Sequence, residues 1–103
     1  MNFGLTDITI NKINSVFEKY SEIEEVIIYG SRAKGNFREG SDIDITLKGN
    51  DIPYGLLSKI NQQIDDLNTP YLFDISIFET LESKQFIDHI NRIGKTFYKK
   101  MKD

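Results

Sequence analysis

Asp42 and Asp44 flank a single isoleucine in Asp42-Ile43-Asp44-Ile45-Thr46-Leu47-Lys48, a strict alternation of polar and apolar residues. Period two is the pattern of a half-buried strand, and it places both carboxylates on one side with Cα atoms roughly 6.5–7 Å apart. Two carboxylates on one rigid strand can converge on a common point and suit hard divalent cations, which take oxygen ligands. Upstream, the apolar run Val26-Ile27-Ile28-Tyr29 leads into Gly30-Ser31, with ten residues between Ser31 and Asp42. Glycine there lets the backbone turn sharply and approach another group. Ser31 is a good helix N-cap, and a helix starting near it would aim free N–H groups and a positive dipole end at an anion. Phosphate held beside a carboxylate-bound Mg²⁺ is the arrangement that phosphoryl and nucleotidyl transfer need.

The flanking sequence supplies elements to position these groups. Thr6 can cap a first helix of about 6–20, with Ile10, Ile13, Val16-Phe17 and Tyr20 at helical spacing and Ile8 off the stripe. Strands are expected at about 25–29 and 42–48, separated by a short helix near 31–36 and by Gly35 and Gly40. Gly49-Asn50-Asp51 is a turn, and Pro53 fits the first turn of a helix that runs to about Leu67 on the stripe Leu56-Leu57, Ile60 and Ile64. A third strand, Tyr71 to Phe78, sets Phe73, Ile75 and Ile77 against Leu72, Asp74 and Ser76. If it neighbours the second strand, Asp74 joins Asp42 and Asp44 along one cleft. A last helix, about 82–93, carries Phe86-Ile87, Ile90 and Ile93 and ends at Gly94, a natural C′ residue. The expected fold is α/β (α+β), a small mixed sheet with helices packed on one face and the chemistry on the other.

Composition bounds the rest. A chain of 103 residues with 39% hydrophobic content, seven Phe and five Tyr makes one domain with a modest core. A net charge of −3 gives no electrostatic case for direct nucleic-acid binding. The local exception is Lys95, Lys99, Lys100 and Lys102, which read as a solubilising frayed tail, with RNA or partner contact as the alternative. The absence of cysteine excludes disulfides and thiolate zinc sites and suits a reducing cytoplasm. No apolar stretch approaches the roughly 20 residues that span a bilayer, and no signal-peptide core is present, so no membrane partner is expected.

With these residues in hand, the chain resembles the minimal nucleotidyltransferases of the DNA polymerase β-type superfamily. Gly30-Ser31, ten residues, then Asp42-Ile43-Asp44 carry the likeness, within "YGSRAKG" and "GSDIDI". It extends through Asp74 to Ile93-Gly94-Lys95 and Phe97-Tyr98. The resemblance implies that Asp42 and Asp44 ligate two Mg²⁺, and that Asp74 completes the metal site or acts as base. Gly30 and Ser31 would hold the triphosphate of ATP, with Arg32 and Lys34 placed to help neutralise it. The small size is similar to that of MNT antitoxins encoded beside HEPN toxins. That likeness implies AMP transfer to a tyrosine of a HEPN partner and a hetero-oligomeric complex. Transfer to a small-molecule hydroxyl and non-catalytic, nucleotide-binding inhibition of a partner are the rival functions.

Plainer readings apply elsewhere. A solvated strand face would account for Asp42 and Asp44 alone, but not for the Gly-Ser turn before them. Asp65-Asp66 read as surface helix residues, and Arg32, Lys34 and Arg38 divide between solvated loop and phosphate contact. His89, the sole histidine, reads as a surface or packing residue. Gly30-x4-Gly35 is not a P-loop, because Asn36-Phe37 stands where Lys-Ser/Thr is required, and an EF-hand from Asp42 would need glycine at Leu47 and glutamate at Pro53.

Overall fold

Among the described residues, four strands form a mixed sheet in the order β3-β2-β1-β4. The computed structural model describes residues 2–101, so Lys102 lies outside the described residues. The elements run α1 (Asp7–Phe17), β1 (Glu25–Tyr29), α2 (Ser31–Lys34), β2 (Ile43–Lys48), α3 (Tyr54–Asp65), β3 (Phe73–Ile77), a 3-10 turn (Phe78–Thr80), α4 (Lys84–Ile93) and β4 (Lys95–Lys99). β2 and β4 pair antiparallel with β1, while β3 pairs parallel with β2.

Local sequence explains most boundaries. The Thr6 side chain caps α1 by accepting from the Thr9 N–H, and the helix ends at Phe17, one turn short of the expected Tyr20. Pro53 stands just before α3 rather than within its first turn. Ser83 caps α4 by accepting from the Phe86 N–H. Gly94 ends α4 for a different reason from the one expected. Its backbone is extended (φ −61°, ψ 148°), not left-handed. A Cβ there would collide with the Ile90 carbonyl oxygen and stand 2.5 Å from Ile27 Cγ2, so close approach demands the glycine.

Alternation along the strands sorts residues between two faces. Val26 and Ile28 of β1 and Ile43, Ile45 and Leu47 of β2 enter the main core with Ile13, Val16 and Phe17 of α1 and Leu56, Ile60 and Ile64 of α3. Burying each such aliphatic side chain contributes about 1.5–3 kcal/mol. Phe73, Ile75 and Ile77 stand opposite Ile43, Ile45 and Leu47 in register, as the two alternations require.

The other face is not left bare. Ile27 and Tyr29 pack against Ile90, with Phe78, Leu81 and Phe86 around them, so α4 lies on the side opposite α1 and α3. The one-sided helix layer therefore needs correction: an apolar stripe on α4 shows that the helix packs, not which face it chooses. The basic C-terminal segment is also corrected. Lys95–Lys99 is a sheet strand with Phe97 buried, not a frayed tail. Lys-Thr-Phe-Tyr-Lys holds three good strand formers, and the flanking lysines concealed them.

Candidate active site

β1 ends at Tyr29, and Gly30 turns the chain with φ +74° and ψ −153°, a backbone region essentially confined to glycine. α2 begins immediately with Ser31. Gly30 occupies the N-cap position and Ser31 the first helical one, so Ser31 is not the capping residue expected. A helix of four residues offers free N–H groups but little macrodipole.

Antiparallel register brings β2 back beside this turn. Tyr29 pairs with Asp44, and Asp44 pairs in turn with Asp74 of β3. One row across the sheet thus reads Tyr29, Asp44, Asp74, and strand spacing of about 4.8 Å separates neighbours. An ideal Cβ on Gly30 would stand 2.5 Å from Asp44 Oδ2. The missing side chain is what lets the Asp44 carboxylate lie against the Gly-Ser turn, physically joining the two halves of the motif. Asp42 precedes β2 and is exposed, one row from Asp44. Asp74 is exposed rather than turned into the core.

The electrostatics match this placement. Burial raises the Asp44 carboxyl above its ordinary pKa, Asp74 and Asp42 raise it further, and His89 opposes them. Tyr29, 5% exposed, is pushed up to about 12 by burial, by Asp74 and by Asp44, against a lowering contact with Ser76. Among the described residues none of the three aspartates has an ion pair or a side-chain hydrogen bond. Nor do three acidic or histidine side chains among them close around one point. Asp44 and Asp74 share a row and Asp42 adds its charge, but the three do not close to the ligand-to-ligand distance expected. Unpaired carboxylates repel one another, and Asp42 is exposed ahead of the strand. The donor set, carboxylate oxygens without a cationic partner, has the chemistry that a hard divalent ion takes.

Arg32 is not a free phosphate ligand. Its side chain is 3% exposed. Nε and Nη2 donate to the Ser41 carbonyl at 3.1 and 2.8 Å, and Nη1 donates to the Phe3 carbonyl at 2.8 Å. Its guanidinium stacks on the rings of Phe37 (5.3 Å) and Tyr71 (4.9 Å). Arg32 therefore clips the residue before Asp42 to the helix that follows Gly30-Ser31. Nothing in the sequence distinguishes an arginine used this way from one facing solvent. Lys34, by contrast, is exposed.

α4 brings Phe86 and His89, read from the sequence as helix-stripe and surface or packing residues, against Tyr29. The Tyr29 ring meets Phe86 edge-on at 5.3 Å and His89 edge-on at 6.2 Å. These rings roof the β1 end of the acidic row. His89 is thus a neighbour of the site, and the available signal was its spacing of three from Phe86 on one helix face.

The Gly30-Ser31 turn, Asp42 and Asp44 at the start of the return strand and Asp74 in register on the third strand thus lie along one side of the sheet. The chain belongs to the "Polymerase beta, Nucleotidyltransferase" family, whose family model matches residues 11–103. A comparison with curated protein sequences finds no match. Among solved structures, the chain is similar to one of a toxin–antitoxin with AMP-PNP, with TM-score 0.71 and 18% identity over 88% of this chain and 73% of that one. It is also similar to one of a tri-AMPylated Shewanella oneidensis HEPN toxin in complex with MNT antitoxin (TM-score 0.66, 15% identity, 93% and 74% of the two chains). A third is the toxin–antitoxin MntA-HepT (TM-score 0.66, 15% identity, 92% and 74%). At such identities the likeness is one of fold. No helix among the described residues is long and apolar enough to cross a membrane.

Proposed function

We propose that this chain transfers AMP from ATP to a tyrosine hydroxyl of a partner HEPN toxin and so acts as its antitoxin within a hetero-oligomer. The observation that carries the reading is the Asp44 carboxylate seated against Gly30 in the same row as Asp74. That row sets anion-binding backbone beside carboxylates, the pairing that nucleotidyl transfer uses. The solved toxin–antitoxin structures that share the fold, one with AMP-PNP and one with an AMPylated toxin, support the choice of nucleotide and partner.

In this reading the Gly30-Ser31 turn and the first N–H groups of α2 receive the triphosphate, and Lys34 is free to approach it. Asp42, Asp44 and Asp74 would hold two Mg²⁺, which would supply charge neutralisation of the phosphates when bound. Asp74, exposed at the end of the row, accepts the proton of the acceptor hydroxyl. The acceptor oxygen bonds to the α-phosphorus, the bond from that phosphorus to the β-phosphate bridging oxygen breaks, and pyrophosphate leaves.

The test incubates the purified chain, α-labelled ATP and Mg²⁺ with the product of the neighbouring gene. Label on the partner, lost with Asp42→Ala or Asp44→Ala, is the expected result. Label only on added small alcohols or aminoglycosides would assign the enzyme to small-molecule transfer instead. Tight complex formation with no label would make the chain a non-catalytic inhibitor.

A further inference from the structure

The acidic row is closed at one end and open at the other. Tyr29, Phe86 and His89 cover it at β1, whereas at β3 Asp74 is exposed and Leu72, which precedes the strand, is 74% exposed. β3 is also a sheet edge. The Ile43 N–H donates to the Leu72 carbonyl at 2.9 Å, so alternation directs the backbone groups of Leu72, Asp74 and Ser76 toward β2 and those of Phe73 and Ile75 outward. The Ile77 carbonyl is taken by the Thr80 hydroxyl at 2.8 Å. Among the described residues, the outward N–H and C=O of Phe73 and Ile75 have no partner.

The two sheet edges are built differently. β4 carries exposed Lys95 and Lys99, the charged residues that discourage strand addition, while Phe73-Asp74-Ile75-Ser76-Ile77 has no lysine. We propose that the free edge of β3 is the docking strand for the acceptor polypeptide, which adds to the sheet as an extended segment with its target hydroxyl residue opposite Asp74. The inference deepens the proposed function and rests on it. A strand added here lies about 4.8 Å beyond β3, which sets an in-phase side chain next to the Asp74 carboxylate. Asp74, exposed and without an ion pair among the described residues, stands open to the hydroxyl of a residue that pairs there. Backbone pairing supplies the affinity, and the row supplies the register.

The experiment compares Ile75→Pro, which removes one outward N–H and leaves the β2 ladder intact, with Ile75→Ala, which loses the same side chain and keeps that N–H. Labelled AMP transfer to the partner protein and binding of a fluorescent Mg-ATP analogue are measured for both. Amide exchange at Phe73 and Ile75 of the unaltered chain is followed with and without the partner. Expected are slowed exchange at both amides in the complex, and transfer by Ile75→Pro about tenfold or more below that of Ile75→Ala, at equal nucleotide affinity. Equal transfer by the two variants, or unchanged exchange at both amides, overturns the proposal. If Ile75→Pro loses nucleotide affinity through misfolding, the exchange measurement decides alone. Protection of these amides by concentrating the chain without its partner would assign the edge to a second copy and overturn it too. Absence of transfer by the unaltered chain is a separate result, which removes the proposed function itself.

Discussion

Gly30 and Asp44 interlock: a Cβ on the one would stand 2.5 Å from Oδ2 of the other, at a backbone angle of φ +74°. Gly30→Ala must therefore displace either the turn or the carboxylate. The strained backbone alone costs about 1–3 kcal/mol. Moving a reacting group by about 1 Å lowers turnover about 10²-fold. Thermal melting and a labelled-transfer assay check both effects, and activity is expected to fall far more than the loss of folded protein explains.

Arg32 separates two roles cleanly. As a phosphate ligand it would be replaceable with little effect on stability. As the clip between Ser41, Phe3, Phe37 and Tyr71 it is not. Arg32→Ala leaves two carbonyls without their donor and opens a void, for an expected loss of about 2–4 kcal/mol in denaturant unfolding. Arg32→Lys keeps the charge but not the planar fork and recovers only part of that loss.

Asp44 gives the fold a defined pH response. Its carboxyl titrates above the ordinary 3.8 because of burial, Asp74 and Asp42. The folded state therefore holds this proton more tightly than the unfolded chain does. Stability from the group is fully present below 3.8, falls as pH rises through the raised folded value, and is absent above it. In EDTA, Asp44→Asn is expected to melt higher than the unaltered chain at pH 7, with the advantage vanishing as pH drops below 3.8. Added Mg²⁺ is expected to raise the melting temperature of the unaltered chain and not that of Asp44→Asn.

The C-terminal strand is checked by two substitutions. Phe97 is 7% exposed and packs within the main core, so Phe97→Ala is expected to cost about 3–5 kcal/mol. Replacing exposed Lys95 and Lys99 with glutamine should leave stability within about 0.5 kcal/mol. Urea unfolding of the two variants distinguishes a sheet strand from a loose tail.

Local periodicity made β2, β3 and the longer helices legible, because each repeats its pattern over five residues or more, and an unbroken apolar run did the same for β1. That Asp44 and Asp74 share a face was legible for a related reason, since two alternating strands in contact bury their isoleucines only in one relative phase, but the row that pairs them was not. Three further features were hidden. β4 is short and bounded by lysines, so its polar ends outweighed the buried Phe97. α4 shows an apolar stripe, but choosing a sheet face depends on Ile27 and Tyr29, whose strand is apolar from Val26 onward. Arg32 took its place from Phe3, Phe37, Ser41 and Tyr71, residues that only the folded chain assembles. His89 reached the site through that same unforeseen placement of α4.

The most direct measurement is AMP transfer from α-labelled ATP in Mg²⁺ to the neighbouring gene's product, run with the unaltered chain, Asp44→Asn and Asp74→Asn at matched folded concentration. Label on a partner tyrosine with the unaltered chain, and a loss of at least about 10²-fold with each variant, is the predicted result. Equal labelling by Asp74→Asn, or by Asp44→Asn, would contradict the assignment of the row that joins them.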